Sequence, residues 1–265
     1  MCRIVAIKAT SKALDRVEKL LTSLERASAY DPFLASLTKG KLNSHSDGWG
    51  VFVIGVNRCH VKQYISSHLM KSNKPFASSK PINTIMDLLS DYEEFILIVH
   101  VRAAGRNEPK SIIAAHPFIV PISTKELYVF CHNGSVNKSM LVKELKMEDL
   151  VGIYPDSYFS AVKIVKEAYN IGLEEAIRKV MNEYTRTAFN TASVHLGTNQ
   201  AVLYVTTYYK KRSEDFARYY STYLIKWKEG IAYVSSTVLS YYDVTDESVE
   251  AMSNGDLRKW RIIWS

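Results

Sequence analysis

The sequence predicts an α+β fold in a single domain spanning residues 1–265. Three observations carry that expectation. Hydrophobic periodicity sorts the chain into β, α, β-hairpin, α, β, β, α, α and then a run of strands, an order without the strict alternation of a doubly wound parallel sheet. Apolar residues make up 47% of the 265 positions, enough for a substantial core. No internal repeat and no shift of composition marks a linker.

In chain order, Cys2 to Ile7 reads as a short strand, and Leu14, Val17, Leu20, Leu21 and Leu24 recur at helical spacing. Asp31-Pro32 has the form of an N-cap followed by proline at the first helical position, with Gly40 as the stop. Gly50–Val56 and Cys59–Ile65 flank Asn57-Arg58 and predict a hairpin turning there. Residues 71–81 are expected to be loop and Ile82 to Leu89 helix. Phe95–Val101 is a continuous apolar run of the kind buried on both faces. After a loop over 103–115, Leu127–Cys131 is a second buried strand. Helices are expected from Ser157 to Tyr169 and from Leu173 to Tyr184, joined at Gly172. Ser193–Leu196, Ala201–Tyr208, Tyr219–Trp227 and Ile231–Ser236 then predict antiparallel strands.

Composition excludes several function classes. No apolar run approaches the ~18–20 residues of a membrane span, and the N-terminus lacks a secretory-signal layout, so the expectation is a cytoplasmic protein without a membrane partner. Cys2, Cys59 and Cys131 are odd in number and widely spaced, which fits a reducing compartment rather than a disulfide framework. The net charge of +7 is spread along the chain. Tyr208-Tyr209-Lys210-Lys211-Arg212 with Arg218-Tyr219-Tyr220 is the nearest thing to a nucleic-acid patch, but a solvated hairpin loop accounts for it better.

The candidate chemistry begins at Cys2. Removal of Met1 would leave a thiol and a free α-amine on one residue, and an α-amine titrating near ~7.7–8.0 suits a general base in neutral water. The bland alternative is a small buried hydrophobe at the start of a strand. Arg102 follows the buried strand and offers a planar fork for a carboxylate, and Asp156 offers an anion for an ammonium. Together they would receive an amino acid's charged groups, although Asp156 also suits a helix N-cap. Asn133-Gly134 predicts either a turn or an oxyanion hole built from a side-chain amide and a backbone N–H. Trp49, between Gly48 and Gly50, suits a wall beside a cleft or the core.

Met1-Cys2-Arg3, Asp47-Gly48-Trp49-Gly50, His100-Val101-Arg102-Ala103-Ala104, Ala115-His116-Pro117-Phe118, Phe130-Cys131-His132-Asn133-Gly134 and Asp156-Ser157 resemble, in that order, the class II glutamine amidotransferases. That family belongs to the N-terminal nucleophile hydrolases, and the nearest likeness is to its stand-alone, YafJ-like branch. The resemblance implies a four-layer αββα sandwich. It implies Cys2 as nucleophile, with Arg102 on the α-carboxylate of glutamine, Asp156 on its α-ammonium, and Asn133 and Gly134 as oxyanion hole. Trp49 and His100 would stand on the substrate side. The reaction implied is attack of the thiolate on the side-chain amide, release of ammonia and hydrolysis of a γ-glutamyl thioester. A separate synthase subunit would then receive the ammonia. No cofactor or metal is expected. Where relatives continue Thr-Asp-Ser-Glu, this chain has Pro155-Asp156-Ser157-Tyr158, so Tyr158 is expected to reshape that wall.

Two other readings compete. One keeps the chemistry but takes a γ-glutamyl peptide, such as a glutathione derivative, as substrate. The other is a structural or metal-binding module that draws ligands from His45, His100, His116, His132, Cys2 and Cys131.

Overall fold

The computed structural model describes residues 1–59, 62–105 and 107–264. Strand β1 (Cys2–Thr10) alternates strictly: Val5, Ile7 and Ala9 face one core, Ile4 and Ala6 another. Helix α1 (Leu14–Ala29) buries Val17, Leu20, Leu21, Leu24 and Ala27, the stripe its spacing predicts. Asp31 caps α2 (Pro32–Leu37) as expected. Its carboxylate accepts from the backbone N–H groups of Phe33 and Leu34 at 3.0 and 2.9 Å.

A long hairpin of β2 (Trp49–Cys59) and β3 (Lys62–Ser72) leads through α3 (Phe76–Ser79) and α4 (Ile82–Ser90) to β4 (Glu94–Arg102). The hairpin differs from the prediction. Asn57 and Arg58 do not turn but continue β2, opposite Tyr64 and Gln63, where the ladder satisfies their backbone groups. His60 and Val61, assigned from sequence to the second strand, lie outside the described residues. Strand β3 reaches Ser72 and α3 interrupts the segment expected to be loop.

Next come β5 (Phe118–Pro121), β6 (Leu127–Val136), α5 (Lys138–Leu145), and the predicted pair α6 (Asp156–Ile171) and α7 (Leu173–Tyr184), which meet at Gly172. Strands β7 (Thr185–Leu196) and β8 (Gln200–Thr207) are followed by a helix the sequence analysis missed, α8 (Glu214–Tyr220). Tyr219 and Tyr220 therefore belong to a helix and not to the strand β9 (Thr222–Trp227). Then follow β10 (Gly230–Ser235), α9 (Ser236–Tyr241), β11 (Ser248–Ala251) and β12 (Asp256–Ile263).

Two antiparallel sheets result, one ordered β11-β9-β10-β1-β4-β2-β3 and the other β12-β8-β7-β6-β5. Ile4, Ile96, Ile98, Val129, Cys131 and Leu203 meet between them. On the outer face of the first sheet, Val5, Leu97 and Val99 pack against Leu20, Leu24 and Ile85 of the helices. On the outer face of the second, Tyr128 and Phe130 pack against Phe159, Ile164 and Val180. The layers are thus α, β, β, α.

Period-two alternation decides what reaches the end of the inter-sheet space. On β1, Cys2 shares the inner face of Ile4, while Arg3 points outward beneath the helices. There Arg3 Nε donates to Asp31 at 2.6 Å, with both side chains fully buried. The Asp31 carboxylate also accepts from His45 Nε2 and from Thr237 Oγ1, each at 2.8 Å. The guanidinium lies 3.8 Å from the centre of the Tyr219 ring and donates to the Tyr219 carbonyl at 2.8 Å. Removing one partner strands a buried charge, so Asp31→Ala is expected to lower unfolding stability by about 3–5 kcal/mol, read from urea titration.

Candidate active site

Cys2 sits opposite Arg102 across the β1–β4 ladder, and Ile4 opposite His100. The inner faces of these two central strands therefore present Cys2, His100 and Arg102 side by side at the end of the sandwich. From the facing sheet, Asn133 on β6 lies on the same face as Val129 and Cys131 and reaches across. Its Oδ1 accepts from the backbone N–H of Cys2 at 2.8 Å. That contact leaves the Asn133 Nδ2 hydrogens free to donate elsewhere.

Asn133-Gly134 is not a free-standing turn. Both residues belong to β6, opposite Asn190 and Phe189, and the ladder shifts register between Gly134 and Val136. Gly134 has φ +152°, and a Cβ there would stand 1.8 Å from the Ala188 carbonyl oxygen. Only glycine allows that approach, and the bulge turns its backbone toward the cleft.

Asp156 is the first residue of α6 and not its N-cap, the role considered from sequence; Pro155 holds that position and makes no side-chain capping bond. Asp156 Oδ2 accepts from Val136 N at 2.9 Å, which pins the helix start to the bulge in β6. Ser157 lies 3.0 Å from His132 Nδ1, and His132 Nε2 donates to the Ala188 carbonyl at 3.0 Å. Burial holds the His132 ring below its ordinary range, hence neutral, so Ser157 donates to it. Arg102 is buried and donates to the Pro109 carbonyl at 2.7 Å, which anchors that residue beside the cavity.

Cys2, Arg102, Gly134, Asp156 and Ser157 line one cavity of about 590 Å³. Burial alone would raise the Cys2 thiol. The α-ammonium of Met1, then the neighbouring His100 and the charge of Arg102, outweigh it and bring the thiol down to about 6. The sequence analysis did not single out Glu108 from the loop, which also lines the cavity. Burial, then the charge of Asp156, pushes its carboxyl up, against an ion pair with Lys138 at 3.2 Å.

Three expectations are corrected. Trp49 is not a wall of the cavity: it packs in the outer core, edge-on to Phe76 with ring centres 5.7 Å apart. Its neighbour Gly50 explains the motif better, since a Cβ there would lie 1.9 Å from the His116 carbonyl oxygen. His100 faces Cys2 but is not among the lining residues. Its Nε2 donates to the His132 carbonyl at 3.2 Å, and its ring stacks on that of His116 at 4.0 Å. Tyr158 does not reshape the cavity wall either. It stacks on Tyr154 at 3.8 Å and faces a neighbouring groove with Phe118 and Leu69.

Among the described residues no group of three or more His, Cys, Asp or Glu side chains converges to hold an ion. His45 is engaged by Asp31, and Cys131 points into the apolar inter-sheet core, where burial pushes its thiol well up. No helix among the described residues is long and apolar enough to cross a membrane.

A four-layer αββα sandwich with a cysteine at the first position of a central strand, facing an arginine and an aspartate, defines an N-terminal nucleophile hydrolase fold. The family model described as glutamine amidotransferases class-II matches residues 30–167, just over half of the chain, and the protein belongs to that family. Among solved structures it is similar to glutamine phosphoribosylpyrophosphate amidotransferase from B. subtilis complexed with ADP and GMP, at TM-score 0.58 and 13% identity. A second similar structure is an allosteric regulatory enzyme of purine biosynthesis, at TM-score 0.58 and 12% identity. Each match covers 100% of this chain and 49% of the other, so the chain spans about half the length of these structures. At that identity the likeness is one of fold. No curated protein matches the sequence.

The buried histidines set an acid limit. Burial first, then the nearby positive charges of Arg3 and the chain's amine, brings His45 down to about 4 despite its bond to Asp31, and burial likewise depresses His116 and His132. A folded-state value below the unfolded ~6.5 means the unfolded chain binds more protons in that window. The histidine contribution to stability is therefore full above pH ~6.5 and is lost as pH falls toward 4, with His45 alone contributing about 3 kcal/mol. The depressed Cys2 thiol acts in the same sense above pH 6, so melting temperatures taken from pH 7.5 down to 4 should fall throughout.

Proposed function

We propose that the protein hydrolyses the γ-amide of glutamine through a thioester on Cys2, after removal of Met1. The carrying observation is Cys2 itself: a thiol brought down to about 6, on a residue whose backbone nitrogen lies 2.8 Å from Asn133 Oδ1. Trimming Met1 turns that nitrogen into an α-amine held by the same contact. The new ammonium, with an ordinary value of ~7.7–8.0, takes over beside the thiol the charge that Met1 supplies in the untrimmed chain. The resting state at neutral pH is then a thiolate beside an ammonium, and attack needs no prior proton transfer.

Arg102 takes the α-carboxylate of the substrate and Asp156 its α-ammonium, which brings the γ-carbonyl to the sulfur. Asn133 Nδ2 and the Gly134 N–H stabilise the oxygen of the tetrahedral intermediate. The Cys2 ammonium protonates the departing nitrogen. Now neutral, the amine takes a proton from water as the thioester is hydrolysed to glutamate. His100 stands beside the thiolate on the neighbouring strand, opposite Ile4. Ammonia transfer to an acceptor on a separate synthase subunit is the extension of this chemistry that fits the family.

Purified protein, with its N-terminus confirmed by intact mass, should release equal amounts of glutamate and ammonia from glutamine. Cys2→Ala should abolish that release, and full activity in this variant would defeat the reading. Asn133→Ala is expected to lower kcat by about 10²–10³.

The rate should also follow a bell in pH. It rises through about 6 as the thiolate forms and declines above ~8 as the ammonium loses the proton it gives to the leaving nitrogen. A single rising limb with its midpoint near 8 would mean that the amine acts first as base.

A further inference from the structure

Met1 occupies a place of its own. Its amine donates to the Ala103 carbonyl at 2.7 Å, and its half-buried side chain packs on a small cluster apart from the three interlayer cores. That cluster is built at the open end of the sandwich by α2 and α8, from Leu34, Phe216, Tyr219 and Tyr220 with Leu37 at its margin. Met1, Leu37, Phe216 and Tyr220 also line the cavity that holds Cys2, as does Arg212, whose guanidinium carbon lies 5.5 Å from the centre of the Phe216 ring.

The cavity lining thus has two poles of different chemistry. One is polar, with Arg102, Asp156 and Glu108. The other is apolar and carries one cation at its rim. Hydrolysis of glutamine uses the first pole only, because its leaving group is ammonia. A volume of about 590 Å³ lies within the ~300–1,000 Å³ of pockets that enclose molecules larger than a single amino acid.

From this arrangement we infer that the second pole is a leaving-group subsite and that the substrate class is a γ-glutamyl amino acid with an aliphatic side chain and a free carboxylate. The inference rests on the γ-amide hydrolysis proposed above. Loss of Met1 empties an apolar recess that a methionine side chain fills. The recess begins where a leaving group must begin, since the departing nitrogen has to lie within one hydrogen bond of the Cys2 ammonium and Met1 is joined to that same nitrogen. An aliphatic side chain takes the place of Met1 against Leu37, Phe216 and Tyr220, and Arg212 meets the carboxylate. The bonds balance as for glutamine: the Cys2 sulfur joins the γ-carbonyl carbon, the C–N bond breaks, and its electron pair takes the Cys2 ammonium proton. Water then cleaves the thioester, giving glutamate and a free amino acid.

The test compares kcat/KM of the trimmed protein for glutamine, γ-glutamylglycine, γ-glutamylmethionine and γ-glutamylmethionine amide. γ-Glutamylmethionine should exceed both glutamine and γ-glutamylglycine by about tenfold or more, the range that a few buried methylenes supply. Capping its carboxylate as the amide should remove much of that gain. Phe216→Ala should bring the methionine-to-glycine ratio toward one, and Arg212→Gln the acid-to-amide ratio. Each ratio is read within one preparation, so a partly unfolded fraction cancels. Glutamine turnover with γ-glutamylmethionine no better than γ-glutamylglycine would overturn the subsite and leave the proposed amidase intact. Cleavage of none of the four would overturn both.

Discussion

The ion pair between Arg3 and Asp31 underlies the geometry of the whole site. It is fully buried, one residue away from Cys2 and on the opposite face of the same strand. Two charges in an apolar interior are tolerable only when every lone pair is engaged. Asp31 meets that condition by also capping α2 and by accepting from His45 and Thr237. One carboxylate therefore joins β1, α2, the segment around His45 and α9. Because Arg3 cannot move, Cys2 must face the space between the sheets.

The second constraint is the position of the sheet ends. Strands are rigid to a fraction of a residue repeat, so groups placed at their ends keep their spacing better than groups carried on loops. Cys2 and Arg102 face each other at the end of one ladder, and Asn133 and Gly134 stand where another is broken by a bulge. Asp156 is held to that bulge through Val136 N, which makes the start of α6 part of the same rigid unit. Arg102, in turn, anchors the following loop at the Pro109 carbonyl.

Much of this was legible from sequence because it follows from period and local chemistry. The buried runs at Phe95–Val101 and Leu127–Cys131, the cap at Asp31 and the helix pair joined at Gly172 are strong local signals, and all appear in the fold. What was missed depends on tertiary contact. Tyr219 and Tyr220 resemble strand residues, yet they lie in α8 because Ser213 caps that helix by accepting from Phe216 N at 3.1 Å and both rings bury against α2. The Ser-Glu-Asp start of that helix was the available signal. Asp31 announced its capping role but not its pairing with Arg3, 28 residues earlier in the chain, because distance in space is not written in local pattern. Trp49 and Gly50 show the same limit: the glycine beside it, not the large ring, is what the approach of the His116 backbone requires.

In the proposed mechanism the Cys2 α-amine carries two demands that pull in opposite directions. While the sulfur is a free thiolate the amine must be charged, taking over the favourable influence that the Met1 ammonium has on the thiol in the untrimmed chain. As the base that prepares water for the second half of the reaction, it must be neutral. The proposed cycle itself resolves the conflict. The ammonium is needed while sulfur is a free thiolate, and it gives up its proton when the C–N bond breaks. By then the sulfur is esterified and no longer needs a counter-charge. The amine is neutral at the one stage where a base is required, and departure of glutamate regenerates the thiolate and the ammonium together. Placing both functions on one residue makes each protonation change drive the next, which a histidine on a separate strand would achieve only by keeping its own geometry in register with the nucleophile.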